Sequence, residues 1–390
     1  MGGDPVPIGR RVAYLRVRRR LSQQSFADRL GKSKSWVDKV ERGVRSLERV
    51  STIRDIAAVL RVDASALLGR DVQPHGVAEQ REGIARIRAA LSAYEMAFGR
   101  PTDREVMSPD CLAREVRHAW MTYQHARYPR LVELLPMLVT EVHRAHALNP
   151  KVGRAAVVVE AYRVTAALLV KLGEGSLAWL AADRAMSAAG DPVLLACAAV
   201  QLGQVLRASA RAGPVMLAAA SQIAPGKPEE LSLRGSLLVQ AALIAARAGD
   251  DRVVGELLDQ AAELAAQVGD GHDHHRTAFG PTAVELARVA AAVELGDGPQ
   301  AVARHEEAIG RDGWRWLPIE HRAAHLIDAA RAYIQADDPA NAARVLLRAE
   351  RLAPAEIRDR PAVRDVVAQA ARDPDAPPTI TQLGIGLGVL

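Results

Sequence analysis

The sequence predicts an all-α protein, with a five-helix N-terminal domain followed by a body that forms an α-solenoid. Apolar residues make up 49% of the 390 residues but aromatic residues only 4%, so alanine and leucine supply most of the core. Such a composition favours closely packed helices over sheets. Segments of helical length and helical apolar spacing follow one another, with short Gly, Asp or Pro breaks between them.

Charge is distributed unevenly along the chain. Residues 1–72 contain 16 Lys+Arg and 8 Asp+Glu, a balance of +8, which leaves 35 and 38, a balance of −3, for the remainder. A basic domain on a mildly acidic body predicts that a polyanion contacts the N-terminal domain only. Cys111 and Cys197 are the only cysteines, so we expect no disulfide framework.

The chain shows no sign of membrane insertion or export. No apolar segment follows the basic residues at the N-terminus, and no uninterrupted apolar run reaches the roughly 18 residues that a transmembrane helix needs. The 45 Arg against 6 Lys are typical of GC-rich bacterial genomes. We therefore expect a cytoplasmic protein without a membrane partner.

The N-terminal domain, residues 1–72, should contain five short helices. Ser22, Ser33, Ser51 and Asp63 are suitable N-caps, and Gly31 suits a helix end. The second and third helices, joined by a tight turn around Gly31, form a helix-turn-helix. The predicted helices span residues 9–20, 23–30, 34–42, 52–60 and 64–68, and the predicted inward residues of the motif are Phe26, Ala27, Leu30, Val37 and Val40.

The segment LSQQSFADRLGKSKSWVDKVERG resembles the Xre/Cro/phage-repressor family of helix-turn-helix proteins, over residues 8–70. The resemblance implies that Gln23 anchors on a DNA phosphate and that Arg16 and Glu41 form a structural ion pair, the alternative for the pair being a surface contact worth little. It also implies base reading at the start of the third helix and backbone or minor-groove contact after it. The predicted DNA-binding set is Gln23, Ser33, Lys34, Ser35, Trp36, Lys39, Arg45 and Arg49.

Trp36 departs from the small or polar residue common at its position in that family. Two interpretations stay open: contact with the DNA groove, or packing against the N-terminal domain.

Residues 73–100 should form a linker and a connector helix. Ile84, Ile87, Leu91, Tyr94 and Phe98 recur at steps of 3, 4, 3 and 4, the spacing of a coiled-coil seam. This stripe predicts either a dimer contact or packing on the body of the same chain.

The body, residues 101–373, shows a repeat. Its breaks fall at Gly173, Gly213, Gly249, Gly296 and about Asp337, at intervals of 40, 36, 47 and 41 residues. A period near 40 with two helices per period predicts an α-solenoid. Phrases such as AGDDRVVGELLDQAAELAAQVGD and ADDPANAARVLLRAERLAP resemble degenerate tetratricopeptide repeats.

The combination of this domain and body resembles a large group of regulators from high-GC Gram-positive bacteria, and TAFGPTAVELARVAAAVELGD is similar to a recurrent stretch of that group. The architecture is also similar to that of peptide-pheromone regulators. This resemblance implies a homodimer and a signal, either a small molecule or a peptide, on the concave face of the body.

Large side chains among the alanines are candidates for ligand binding, although most such residues fill gaps between helices. The selected residues are Tyr162, Phe279, Trp314 and Trp316, drawn from a set that also holds Trp120, Tyr123, Trp179 and Tyr333. Trp314 and Trp316 precede a proline, which predicts an exposed pair in a loop.

The sequence shows no enzyme signature. His272, Asp273, His274 and His275 lie in a glycine-bounded segment that favours a flexible loop over a metal site, because no further ligands follow at a recognisable spacing. Glu320 precedes His321 and His325, whereas the zinc-protease pattern needs Glu directly after the first His. Phosphate-loop, nucleophile-elbow and dinucleotide patterns are absent from the sequence. We expect no catalysis, no metal and no cofactor.

Residues 374–390, after Asp373, are apolar but rich in glycine, which predicts a flexible tail, with insertion into a groove as the alternative. Together these features predict a sequence-specific transcriptional regulator that binds double-stranded DNA at a palindromic operator. The alternative is a protein-interaction adaptor or antitoxin-like protein that uses the N-terminal domain to locate itself on DNA.

Overall fold

The computed structural model describes residues 8–19, 21–45, 47, 50–60, 62, 75–93, 107–148, 152–209, 211–224, 226–373 and 376–390. Helices account for all of the regular structure in these ranges, and no strand occurs in them. The chain divides into two compact units, Met1–Arg81 and Glu82–Leu390.

The first unit contains four complete described helices: α1 (Ile8–Arg18), α2 (Gln23–Leu30), α3 (Lys34–Glu41) and α4 (Val50–Leu60). The predicted fifth helix at residues 64–68 lies outside the described residues. The core of the first unit is formed by buried apolar side chains from all four helices: Val12, Phe26, Ala27, Val37, Ile53, Ile56, Ala57 and Leu60. Apolar residues at helical spacing therefore hold α2 and α3 together against α1 and α4.

Local capping fixes the turn between α2 and α3. Ser22 caps α2 and Ser33 caps α3, each through a hydroxyl that accepts a backbone N–H three residues later. Gly31 has φ 63°, a left-handed conformation, and Lys32 N donates to Ala27 O at 3.0 Å, as in a Schellman helix end. The structure thus contains the two N-caps and the glycine helix end that the sequence predicted for this turn.

The second unit begins within α5 (His75–Leu91) and continues through fifteen further described helices. These are α6 (Pro109–Gln124), α7 (Tyr128–Leu148), α8 (Val152–Lys171), α9 (Gly175–Ala188), α10 (Pro192–Val205), α11 (Ala212–Ser221), α12 (Pro228–Arg247), α13 (Asp251–Val268), α14 (Pro281–Leu295), α15 (Gly298–Gly310), α16 (Ile319–Gln335), α17 (Pro339–Leu352), α18 (Pro354–Arg358), α19 (Arg364–Ala370) and α20 (Pro378–Leu387). Short 3₁₀ turns occupy His274–Arg276, Asp312–Trp316 and Pro361–Val363.

Helices α6 to α17 form successive antiparallel pairs, α6 with α7 through α16 with α17. Gly173, Gly249, Gly296 and Asp337 lie in the turns within four of these pairs, with φ values of 78°, 79°, 84° and 58°. These four positions are the predicted breaks, where a left-handed residue reverses the chain. Gly213 differs, because it is the second residue of α11.

The even-numbered helices form an inner series. Each of α6, α8, α10, α12 and α14 contacts the next even-numbered helix, while each odd-numbered helix from α7 to α17 packs on its own pair partner. Helix α16 also contacts α6, so the last pair meets the first. The body is therefore a stack of helical hairpins whose two ends touch, a closure that the sequence period does not predict.

The connector helix α5 packs on the body of its own chain. Ile84, Ile87 and Leu91 are buried in the core cluster that includes helices α6 to α9. A Cβ atom on Gly83 would lie 2.1 Å from Val132 Cγ1, which shows how closely α5 approaches α7. The alternative of a coiled-coil dimer seam is thus wrong for these three residues, since they are already covered; Tyr94 and Phe98 lie outside the described residues.

The C-terminal segment differs from the expected flexible tail. Residues 378–387 form helix α20, and Ile380 is fully buried against α17 and α19. Ile380, Leu383 and Leu387 recur at helical spacing and pack into the third core cluster. Glycine content suggested flexibility, but this apolar face, once buried, outweighs the low helix propensity of glycine.

None of the helices in the described ranges has the length and apolarity needed to cross a membrane.

Candidate nucleic-acid interface

One face of α3 is free for contact with another molecule. Val37 and Val40 face the core with 1% and 2% exposure, whereas Lys34, Ser35 and Lys39 are exposed. All three exposed side chains carry hydrogen-bond donors, and two carry positive charge. A short helix held from behind by a packed core presents donors and charge in the way that major-groove reading requires.

The N-terminus of α3 is held by Ser33. Its hydroxyl oxygen accepts the Trp36 backbone N–H at 3.1 Å, and the Ser33 side chain itself is exposed. Its hydroxyl proton is not used in this cap, so Ser33 retains a donor next to Lys34 and Ser35. Ser33 thus has a structural role that leaves its predicted contact with DNA feasible.

Trp36 is half-buried and packs against the hydrophobic core of the first unit. Part of the Trp36 side chain therefore packs against the N-terminal domain, as one of the two interpretations predicted. Its remaining exposed part lies on the same helical turn as Lys34 and Ser35, and contact of that part with DNA stays a prediction.

Glu41 organises the polar side of the helix-turn-helix. Its Oε1 atom is 2.6 Å from Arg16 Nε, and its Oε2 atom accepts from Arg16 Nη2 at 3.0 Å and from Gln23 Nε2 at 2.8 Å. The side chains of Arg16 and Glu41 are only 12% and 6% exposed. The pair is thus a bidentate, largely buried ion pair between α1 and α3, unlike the surface pair considered as the alternative.

Gln23 is the first residue of α2, where the resemblance implies a phosphate anchor. In the structure its amide nitrogen donates to Glu41, which fixes the side chain at the start of the helix. The sequence pattern did not predict this hydrogen bond, because residues 23 and 41 belong to different helices and no local spacing relates them.

Arg45 is exposed just beyond the end of α3, and its backbone N–H donates to Lys39 O at 3.0 Å. This hydrogen bond turns the chain directly after α3 and places Arg45 beside the C-terminal end of that helix. Arg49, the second predicted basic contact, lies outside the described residues.

Gly9 allows α1 to pack closely against α3, a role that was not predicted from the sequence. A Cβ atom at this position would lie 2.0 Å from Val40 O, so α1 crosses the end of α3 at a distance that only glycine permits. A glycine within an otherwise helical segment was the available signal, because such a residue often marks close helix packing.

The geometry of α2 and α3 agrees with a comparison against known protein families. Residues 7–68 match the family model of a helix-turn-helix domain. The N-terminal unit is a helix-turn-helix domain. A comparison with curated proteins gives no match.

Three of the four residues selected for ligand binding are core residues. Tyr162, Phe279 and Trp314 are buried, with 4%, 3% and 8% exposure, and they belong to three different core clusters. Phe279 fills the space above Gly235, where a Cβ atom would lie 2.0 Å from the phenylalanine ring. Trp316 is 66% exposed.

The expected exposed pair of tryptophans is therefore wrong for Trp314. Its ring contacts the His325 ring edge-on with centroids 5.5 Å apart, and Arg348 Cζ lies 5.9 Å from the Trp314 ring centroid. The segment is a 3₁₀ turn rather than an open loop, and this turn directs alternate tryptophans inward and outward. The proline in the sequence indicated that a helix ends here, but it did not indicate which of the two tryptophans would be buried.

The histidine-rich segment 272–275 contacts the inner helices. Arg163 Nη2 donates to His275 O at 2.8 Å, and His275 Nδ1 lies 3.4 Å from Cys197 Sγ. Burial raises the pKa of the Cys197 thiol to about 11, so this thiol is a weak nucleophile at neutral pH. Within the described ranges, no group of three or more His, Cys, Asp and Glu residues is placed to hold a metal ion.

Proposed function

We propose that this protein is a sequence-specific transcriptional regulator of the Xre type, which binds a palindromic DNA operator as a homodimer. Its helical-repeat body, of tetratricopeptide-like type, binds a signal that alters operator affinity. The observation that carries the proposal is the exposed face of α3, with Lys34, Ser35 and Lys39 mounted on a helix whose other face is buried. The net balance of +8 over residues 1–72 supports an anionic partner for this unit.

The proposed roles follow from position. Lys34, Ser35, Lys39 and the exposed edge of Trp36 read base edges in the major groove. The positioning contacts to phosphate come from residues around the motif: Gln23, Ser33, Arg45 and Arg49. Glu41 holds Arg16 and Gln23 in place, so that α2 and α3 act as one rigid body.

A homodimer is proposed because a single α3 reads only a few base pairs. Two copies on half-sites spaced by about one helical turn, roughly 34–36 Å, would double the contact and require a palindrome. The signal in turn must bind one state of the protein better than another, since equal affinity shifts no equilibrium. We propose no catalytic role, and we place the protein in the cytoplasm.

Two variants separate base reading from phosphate contact. Lys34→Ala should change the preferred bases at one operator position and weaken specific binding by about 1–3 kcal/mol. Arg45→Ala should weaken binding to all sequences alike and reduce the log–log salt slope by about 0.9. Both are measured by fluorescence anisotropy on operators selected from a random duplex pool, at several salt concentrations.

The matched control is Arg252→Ala, which removes an exposed positive charge from α13 of the body. It should leave both the base preference and the salt slope unchanged. If Lys34→Ala and Arg252→Ala behave alike, the assignment of base reading to α3 is wrong. Recovery of a stoichiometric protein partner with a chain that selects no operator would favour the adaptor function instead.

A further inference from the structure

The connection between α13 and α14 reaches back across the inner series of helices. It comprises residues 269–280, and residues 270–278 within it are here called the strap. By comparison, residues 248–250 are enough to reverse the chain between α12 and α13. The connection is therefore longer than a reversal of the chain requires, and its contacts show where the additional residues go.

The strap contacts α6 and α8, two helices that come much earlier in the chain. Gln124 Nε2, at the end of α6, donates to Asp273 Oδ2 at 2.8 Å. Arg163 Nη2, in α8, donates to His275 O at 2.8 Å. Because Arg163 is fully buried, this second hydrogen bond is shielded from water and fixes the middle of the strap against α8.

The strap also contacts α10 and α12. His275 Nδ1 lies 3.4 Å from Cys197 Sγ of α10, and His274 Nδ1 lies 3.8 Å from Glu229 Oε1 of α12. The helices α6, α8, α10 and α12 belong to four successive hairpins. In a helical-repeat protein each hairpin contacts mainly its neighbours, so a segment that contacts four of them restrains them together.

The backbone of the strap is strained. His275, Arg276 and Ala278 have φ values of 51°, 61° and 47°, and none of the three is glycine. This left-handed region is unfavourable for residues that carry a Cβ atom. Strain of this kind persists only where the surrounding contacts hold it. Loss of those contacts would let the backbone relax, and the strain therefore favours release of the strap.

Two of the contacts that hold the strap are accessible from solvent. The hydrogen bond between Gln124 and Asp273 is exposed, and the Glu229 side chain next to His274 is 52% exposed. Asp273 Oδ1 also accepts from Ala278 N at 3.1 Å, inside the strap. One exposed carboxylate thus joins the strap to α6 and holds the fold of the strap itself.

We propose that the strap is a releasable lock of the body. Bound to the inner helices, it holds four hairpins in one arrangement; released, it loosens the inner series and changes operator affinity. This inference rests on the proposed function, since it names the element that separates the two states between which a signal must discriminate.

Hydrogen exchange of the full chain, followed by mass spectrometry, tests the lock in Asp273→Ala. The change is at an exposed position, so the variant should fold. Exchange in residues 270–278 should be at least about tenfold faster, the effect of losing one or two hydrogen bonds. Exchange should also be faster in residues 228–235 at the start of α12, where the contact with the strap is made by His274. Faster exchange there would show that the strap is released as a unit.

Two further variants make this test specific. Gln124→Ala breaks the same hydrogen bond from the α6 side and leaves the sequence of the strap unchanged, so it should quicken exchange in the same two segments. Glu256→Ala, from an exposed pair on α13, should quicken neither. Faster exchange that stays within residues 270–278, or no faster exchange in Asp273→Ala, would overturn the proposal.

Operator binding, measured on the same samples, separates the lock from the function it rests on. Operator affinity of Asp273→Ala should differ from that of the wild type by about fivefold or more, as for other coupled sites. Unchanged affinity in a variant whose strap is released would overturn the link between the strap and DNA binding. A wild-type chain that selects no operator would contradict the regulatory function, and the exchange result would still decide whether the strap locks the inner helices.

Discussion

His305 and His325 form a buried pair in which Nδ1 of the first lies 2.8 Å from Nε2 of the second. Their residues are 1% and 3% exposed. Burial, and then the charge of Arg348, lower the pKa of His305 to about 4; burial, and then His305 and Arg348, lower the pKa of His325 to about 3. Both imidazoles are therefore neutral in the folded protein at pH 7.

This pair predicts acid sensitivity of the body. In the unfolded chain each histidine titrates near its ordinary value of 6.5, so the unfolded state binds more protons between pH 6.5 and about 4. Stability should fall across that window as pH decreases, by about 3 kcal/mol for His305 alone. Urea unfolding of the full chain at pH 7 and pH 4.5 measures this.

The double variant His305→Gln/His325→Gln should lose much of that pH dependence, whereas His118→Gln, at an exposed position on α6, should retain it. An unchanged loss of stability in the double variant would show that other groups carry the acid sensitivity.

Individual residue contacts were predictable where a family resemblance or an apolar periodicity indicated them. The resemblance gave the Arg16–Glu41 pair, and the periodicity gave Phe26 and Val37 as core residues. Gln23 to Glu41 and His305 to His325 could not be predicted, because these contacts join residues that only the packed tertiary structure brings together.

At the scale of elements, the crossing of α1 and α3 depends on Gly9. Gly9→Ala would place a methyl group 2.0 Å from Val40 O, a backbone atom that cannot rotate away. We expect the first unit to lose about 1–3 kcal/mol of stability, as for other overpacked sites, and operator affinity to fall with it. Hydrogen exchange of residues 8–60 in the full chain measures the loss.

Gly255→Ala in α13 is the matched substitution, because a Cβ atom there meets no atom within 4 Å. It should leave the first unit unchanged and stabilise α13 by about 0.5–1 kcal/mol, since alanine favours the helix. Faster exchange in the first unit of both variants, or of neither, would contradict the role given to Gly9.

Helices were predictable from sequence to the extent that their ends carry chemical signals. Ser22, Gly31 and Ser33 place the ends of α2 and α3, and Gly173, Gly249 and Gly296 place turns in the body. The turn between α6 and α7 escaped this reasoning, because Ala126 takes φ 53° in place of glycine. Helix α20 escaped it because its stability derives from burial, which the sequence does not display.

At the scale of the whole body, the contact of the first hairpin with the last rests on a buried ionic network. Glu356 is fully buried; it accepts from Tyr128 and contacts Lys171 and Arg360. Tyr128 and Lys171 belong to α7 and α8, near the start of the repeat, and Glu356 lies in α18, near its end. Burial and then the Glu356 charge raise the pKa of Tyr128, which keeps this tyrosine protonated as a donor.

We predict that Glu356→Ala opens this closure. Removal of the carboxylate leaves Lys171 without one of its two buried partners, a change that costs about 3–5 kcal/mol in comparable buried pairs. Hydrogen exchange should quicken together in residues 107–128 and 352–364. Glu133→Ala, from a pair that is 61% and 59% exposed, should change neither segment. Faster exchange confined to the C-terminal segment would contradict the closure.

The closure also shows what the repeat period left undetermined. A spacing near 40 residues predicts stacked hairpins, but the curvature of the stack depends on small rotations between neighbouring pairs. Those rotations are set by packing details such as Phe279 above Gly235. The sequence therefore predicted the kind of body and not the meeting of its ends.

The central claim is that α3 reads DNA, and genome-wide binding of the full chain in its native host tests it most directly. The wild type is compared with Lys34→Ala/Lys39→Ala and with Arg130→Ala/Arg252→Ala, which removes two exposed positive charges from the body. We predict discrete sites that share a palindromic motif for the wild type and the body variant, and loss of these sites in the α3 variant. Sites that persist in the α3 variant, or no enriched sites for the wild type, would contradict the account.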